Sequence, residues 1–143
     1  MHPDSIQWNS SAPKSYRYIQ SSGGSNALGR VKFIFPNKFS VFLHDTPSKS
    51  LFKKNFRARS SGCVRVQKPF ELTSKILSVQ DEKWTKTEID TIVKRKVTER
   101  VYLNRKVNVY FLYWSVVFDE NNKPHFLNDL YDLDKKVYSA LTN

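Results

Sequence analysis

The chain has 143 residues, with 24 Lys and Arg against 13 Asp and Glu, for a net charge of +11. Its 39% hydrophobic and 14% aromatic content belongs to a folding chain rather than a disordered one, and no apolar run reaches the roughly 18 residues that a membrane-spanning helix needs. The single cysteine, Cys63, excludes an internal disulfide and a multi-cysteine zinc site.

In chain order, residues 1–29 are rich in Ser, Gly, Pro and Asn and read as a loop-rich lead-in, with Ser21-Ser22-Gly23-Gly24-Ser25-Asn26 as the plainest turn signal. Residues 30–143 read as the body of the domain. Met1-His2-Pro3-Asp4-Ser5 has neither the basic start nor the apolar stretch of a secretion signal, so no export signal is expected in this chain. Val31 to Phe35 and Phe39 to Leu43 are β-rich runs separated by Pro36-Asn37, which predicts a hairpin, with His44 at the exit of its second strand. Pro69 followed by Phe70, Leu72, Ile76 and Leu77 predicts a helix with proline in its first turn. A second helix is expected within Thr85 to Lys96, capped by Thr85 or Thr87, with Ile89, Ile92 and Val93 on one side. Val97 to Leu103 and Val107 to Phe118 read as strands, Asp119 to Pro124 as a turn leading to His125-Phe126, and Asp132 to Leu141 as a closing helix. The fold class expected is mainly β with a few short helices, an α+β chain.

The charge is concentrated. Residues 30–68 carry ten basic side chains against Asp45 alone, which is nine of the eleven net positive charges. A positive field favours thiolates and attracts carboxylates, although salt screens exposed charges beyond about 8–10 Å. The same segment could be a solvated face kept for solubility. Basic residues interleaved with Phe33, Phe35, Phe39 and Phe52 could form a nucleic-acid surface, but this is not expected: the aromatics alternate as strand-core residues do, and no nucleic-acid motif accompanies them.

Two clusters within this segment could carry chemistry, His44-Asp45-Thr46-Pro47-Ser48 and Ser60-Ser61-Gly62-Cys63-Val64-Arg65. A thiol attacks as thiolate, and an imidazole within about 2.6–3.2 Å can take its proton. Gly62 permits a tight turn that leaves backbone N–H groups near the sulfur for an oxyanion. A lone cysteine can equally be inert core filler. His2 and His125 lack chemical context and read as structural or exposed, and Trp8, Trp84 and Trp114 as core or lid packing.

Three runs together resemble the L,D-transpeptidase (YkuD-domain) family, most closely its YcbB-like murein branch: Asn26 to Asn37, Leu43-His44-Asp45-Thr46-Pro47-Ser48-Lys49-Ser50-Leu51-Phe52, and Arg57-Ala58-Arg59-Ser60-Ser61-Gly62-Cys63-Val64-Arg65-Val66. Asp4 to Trp8, Val109 to Trp114, His125-Phe126 and Asp129-Leu130-Tyr131 extend the likeness along nearly the whole chain. The resemblance implies the C-terminal part of a catalytic-domain β-sandwich, since family domains begin with strands ahead of the position matched by Met1. It implies Cys63 as nucleophile and His44 as general base, the latter oriented by a backbone carbonyl rather than by the Asp45 carboxylate. Gly62, Ser61, Arg65 and Thr46 are the implied oxyanion and substrate-binding residues. Ser61 stands where His is commoner, and Ser-Ser-Gly-Cys is characteristic of the YcbB-like branch.

The activity so implied is cross-linking of peptidoglycan stem peptides through a Cys63 thioester with release of D-alanine, in the periplasm or cell envelope, in service of cell-wall synthesis and cell shape. No metal or other cofactor is implied, and a carbapenem adduct at Cys63 is. Water as acceptor would make the enzyme an L,D-carboxypeptidase. The competing expectation is a truncated fragment whose supporting sheet is incomplete and whose site is inactive.

Overall fold

A computed structural model describes residues 3–10 and 12–142; His2 lies outside the described residues. The chain divides into two compact units, residues 1–107 and 108–143.

In the first unit, β1 (Lys32–Phe33) pairs antiparallel with β2 (Leu43–His44), so the expected hairpin pairing is present with shorter strands and a wider loop. Asn37 explains the loop: its side-chain oxygen accepts from the N–H groups of Phe39 and Val41, and its amide donates to Phe35 O and Val41 O. Four backbone groups that a longer ladder would have paired are thus satisfied by one side chain. On the other edge β2 pairs in parallel with β3 (Val64–Arg65), giving the sheet order β1-β2-β3. Val31, Phe33 and Phe35 alternate half-buried with exposed Lys32, Ile34 and Pro36, while Phe39 is exposed.

Helix α1 (Pro69–Ser78) starts on proline and buries Pro69 and Leu77, and α2 (Lys86–Lys94) buries Ile89. Thr85 is the α2 cap: its hydroxyl accepts from Glu88 N at 3.2 Å, and the cap residue itself is extended, as capping requires. Leu77 and Ile89 are the buried hydrophobic side chains among the described residues. Ile89 lines a groove with Phe70 and Ser74, so the two helices face each other there. Trp8 and Trp114, expected as core or lid, are instead 55% and 63% exposed, and Trp8 stacks on Tyr18. Trp84 is half-buried, with the Lys83 ammonium over its ring.

The expected strand at Val97 to Leu103 is absent. A strand exists only through a neighbour's N–H and C=O groups, and here the chain is fastened by a side chain instead: Gln80 donates to Arg105 O at 3.0 Å and accepts from Arg105 N at 2.8 Å.

In the second unit only the end of the expected Val107 to Phe118 strand finds a partner. β4 (Val116–Phe118) pairs antiparallel with β5 (Pro124–Phe126) across the expected turn. The Asp119 carboxylate organises that turn by accepting from Asn121 N, Lys123 N and the His125 ring. This partner accounts for His125, which is exposed and structural as expected. Helix α3 (Asp134–Thr142) ends the chain, tied back by Ser115 Oγ to Asp134 and by Asp134 N to Asp129, whose other oxygen accepts from Tyr113 OH. Burial, with the Asp129 carboxylate against the hydroxyl, raises the Tyr113 ionisation above its ordinary value. Short strands in two sheets and three helices make an α+β chain.

Candidate active site

The most buried polar side chains of the first unit are consecutive: His44 and Asp45 at 5% exposure and Thr46 at 2%. They sit where β2 ends between two neighbours. The parallel register sets Leu43 beside Val64 and His44 beside Arg65, fastened by Val64 N to Phe42 O at 3.0 Å and Val66 N to His44 O at 2.8 Å. Paired residues of adjacent strands present their side chains on one face, so His44 and Arg65 share a face of the sheet, and Cys63 leads into β3 two residues before Arg65. Lys32, opposite His44 on β1, belongs to that face too, with its ammonium 3.7 Å from the Phe42 ring centre. Cys63 lies one residue ahead of β3, and among the described residues no hydrogen bond joins its sulfur to His44.

The orientation of His44 is fixed from behind. Its Nδ1 lies 2.5 Å from Asp45 O, so Nδ1 carries the proton and donates, and Nε2 is left as an acceptor. Phe42 packs edge-on against the ring at 5.7 Å between centres. The Asp45 carboxylate faces elsewhere: it accepts from Arg30 N at 3.0 Å and from Lys49 Nζ at 2.6 Å. Burial pushes its ionisation up, but Lys49, the backbone N–H groups of Arg30 and Thr46, and the Lys49 charge together outweigh burial and hold the carboxyl below its ordinary value. Asp45 is therefore an ion at neutral pH, and its carboxylate is engaged away from the imidazole.

Cys63 is half-buried at the end of a short exposed turn. Gly62 has φ +139°, and a Cβ there would meet Val41 Cγ1 at 3.2 Å, so both conformation and space favour glycine. The turn is pinned by Ser60, which the motif reading passed over in favour of Ser61: Ser60 Oγ donates to Cys63 O at 2.6 Å and accepts from Gly62 N at 3.3 Å. The signal available in sequence was a serine two residues before a glycine, the spacing at which a hydroxyl bonds the backbone of its own turn. The Gly62 N–H is thus engaged by Ser60 within the turn.

Arg65 lies on the His44 face with its Nε buried and unpartnered among the described residues. Ser61 is exposed. Thr46 spends its hydroxyl on its own turn, accepting from Ser48 N at 3.1 Å. It also lines a cleft of about 540 Å³ with Arg30, Asp45, Lys49 and Lys68, whose lining includes neither Cys63 nor His44. Among the described residues no cluster of His, Cys, Asp and Glu could hold a metal ion.

Residues 1–109 match the L,D-transpeptidase catalytic domain, YkuD. The chain belongs to that family. It is also 37% identical over 141 residues to a Haemophilus influenzae protein named "Putative L,D-transpeptidase", an alignment covering 99% of this chain and 28% of that relative. This L,D-transpeptidase-family chain thus spans little more than a quarter of the relative's length. The matched residues include β1, β2, β3, α1 and α2, and with them both His44 and Cys63, whereas β4, β5 and α3 lie beyond the match.

Proposed function

We propose that this chain carries the reactive half-site of a cysteine-dependent L,D-transpeptidase acting on peptidoglycan stem peptides. The observation that supports the reading is the pairing of β2 with β3, which sets His44 beside Arg65 at the strand entered from Cys63, together with the bond from His44 Nδ1 to a carbonyl. In the proposed cycle His44 Nε2 takes the Cys63 proton, and the thiolate attacks the carbonyl on the L-centre of the stem's diamino acid. The tetrahedral oxyanion lies against the Cys63 N–H, with Gly62, Ser61, Arg65 and Thr46 assigned to the surrounding substrate surface. Collapse breaks the bond to the terminal D-alanine, whose amine takes the proton from His44, and leaves a thioester. A side-chain amine of a second stem then displaces the sulfur while His44 accepts its proton. Water in place of that amine gives L,D-carboxypeptidase activity. No cofactor enters these steps, and the proposed setting is the cell envelope.

A second reading, a fragment that is inactive alone, is favoured by the thin core: Leu77 and Ile89 are buried, whereas Ile34, Tyr102, Tyr110, Leu112 and Phe126 are each more than two-thirds exposed. One experiment separates the two. The purified chain is incubated with a tetrapeptide stem and, separately, with a carbapenem, following D-alanine release and the mass of the protein. The active reading expects both D-alanine and an adduct that Cys63→Ala abolishes. Absence of both in a folded chain leaves the fragment reading, and an adduct retained by Cys63→Ala refutes the nucleophile assignment.

A further inference from the structure

His44 is held by the Asp45 carbonyl, and Asp45 is held in turn by Arg30, Val31 and Lys49. We infer that Asp45 and Lys49 form a positioning clasp that keeps the His44 imidazole aligned with Cys63. The inference rests on the Cys63–His44 reading above, and neither clasp residue is assigned contact with the reacting atoms.

All four polar functions of Asp45 are committed. Its N–H donates to Val31 O at 2.8 Å, its carbonyl accepts from His44 Nδ1, one carboxylate oxygen accepts from Arg30 N, and the other from Lys49 Nζ. The orientation of the peptide group whose oxygen aligns the ring is thereby set by contacts to Arg30 and Val31, just ahead of β1, on one side and to Lys49 on the other. Lys49 then crosses to the third strand. Besides Asp45 Oδ1 it approaches Gln67 O at 3.1 Å and Val66 O at 3.4 Å, directly after the strand that follows Cys63. An ammonium has three protons, and three acceptors from two chain segments surround this one. An ordinary exposed lysine paired four residues from an aspartate has one acceptor and contributes little. Here the aspartate is buried, and the lysine joins the exit of the histidine strand to the exit of the cysteine strand. Those strands are paired over only two residues each, so little else fixes their register. A displacement of about 1 Å between reacting groups can cost about 100-fold in rate.

The test uses the full chain and measures Cys63 alkylation by iodoacetamide at pH 7, a reaction that needs the thiolate but no peptidoglycan chemistry. Each variant is assayed about 20 °C below its own melting temperature. Lys49→Met keeps the side-chain stem and removes the charge and donors; it is expected to slow alkylation at least tenfold. Lys49→Arg, which keeps charge and several donors, is expected to recover to within about threefold of wild type, and Lys53→Met, at an exposed neighbour, to leave the rate unchanged. Alkylation of Lys49→Met at the wild-type rate overturns the clasp, as does a loss equal in Lys49→Met and Lys53→Met. If Lys49→Met does not fold, Lys49→Gln carries the same comparison, and a wild-type rate there overturns the clasp as well. His44→Ala separates the two layers of argument. Slow His44→Ala with fast Lys49→Met rejects the clasp alone, and fast His44→Ala rejects the Cys63–His44 pair beneath it.

Discussion

Gly29 gives the sharpest test of how the site is supported, because it is far from Cys63 in sequence and has no chemistry of its own. Its φ is +66°, and a Cβ built on it overlaps the Asp45 carboxyl group. Gly29→Ala therefore acts twice. Holding alanine in the left-handed region costs about 1–2 kcal/mol. Moving the carboxylate aside breaks its bond from Arg30 N, about 1.5–3 kcal/mol for a bond to a charged group, and the Lys49 pair. With the Lys49 side chain 47% exposed, the pair itself adds no more than about 1 kcal/mol. The total is about 2.5–6 kcal/mol, a fall in melting temperature of roughly 8–20 °C for a chain of this size. The two parts separate in a double-mutant cycle with Asp45→Ala, measured by urea denaturation followed by circular dichroism. Once the carboxylate is gone, Gly29→Ala retains only its backbone cost, so the two substitutions together cost about 1.5–4 kcal/mol less than their sum. Additivity within about 0.5 kcal/mol would show that the glycine and the carboxylate do not press on each other and would refute the argument.

Further outcomes are expected elsewhere. Ser60→Ala removes the hydroxyl that spans Cys63 O and Gly62 N; it is expected to cost about 1 kcal/mol in urea stability while slowing Cys63 acylation about tenfold, and an unchanged acylation rate would remove Ser60 from the site. Thr85→Ala loses the α2 cap and about 1 kcal/mol, with Thr85→Ser near wild type and Cys63 reactivity unaffected in both; equal stability of Ala and Ser at this position would contradict the cap. The His125 bond first, and the Lys123 and Asn121 amides with it, hold Asp119 below its ordinary value of 3.8 against the opposing effect of burial. Its charged form is thus favoured in the folded hairpin. The Asp119 contribution is complete above pH 3.8 and is lost as pH falls through a lower, folded-state value. Asn121 and Lys123 amide shifts should titrate with a midpoint below 3.8, and a midpoint at or above it would rule out the carboxylate as organiser of this turn.

Local rules settled much of this chain from the sequence by itself. Pro69 starts α1 because its fixed φ and missing N–H suit a first turn, Thr85 starts α2 because a hydroxyl can take an orphan N–H, and Asn37 and Asp119 make turns because short polar side chains bond nearby backbone. The family was legible for a similar reason, since residue type and spacing around His44 and Cys63 record it. Strands were less so. Val97 to Leu103 and most of Val107 to Phe118 have strand composition, yet a strand is made by its neighbour, and only Val116–Phe118 found one there. What tertiary structure alone decided is the relation between the clusters. The parallel pairing of β2 with β3 brings the segment that holds His44 alongside the one that follows Cys63, 19 positions on. Folding also commits the Asp45 carboxylate to Arg30 and Lys49 and leaves its carbonyl to the imidazole. Sequence names which groups are present, but a hydrogen bond depends on distance and direction, and between segments far apart in the chain only folding sets these.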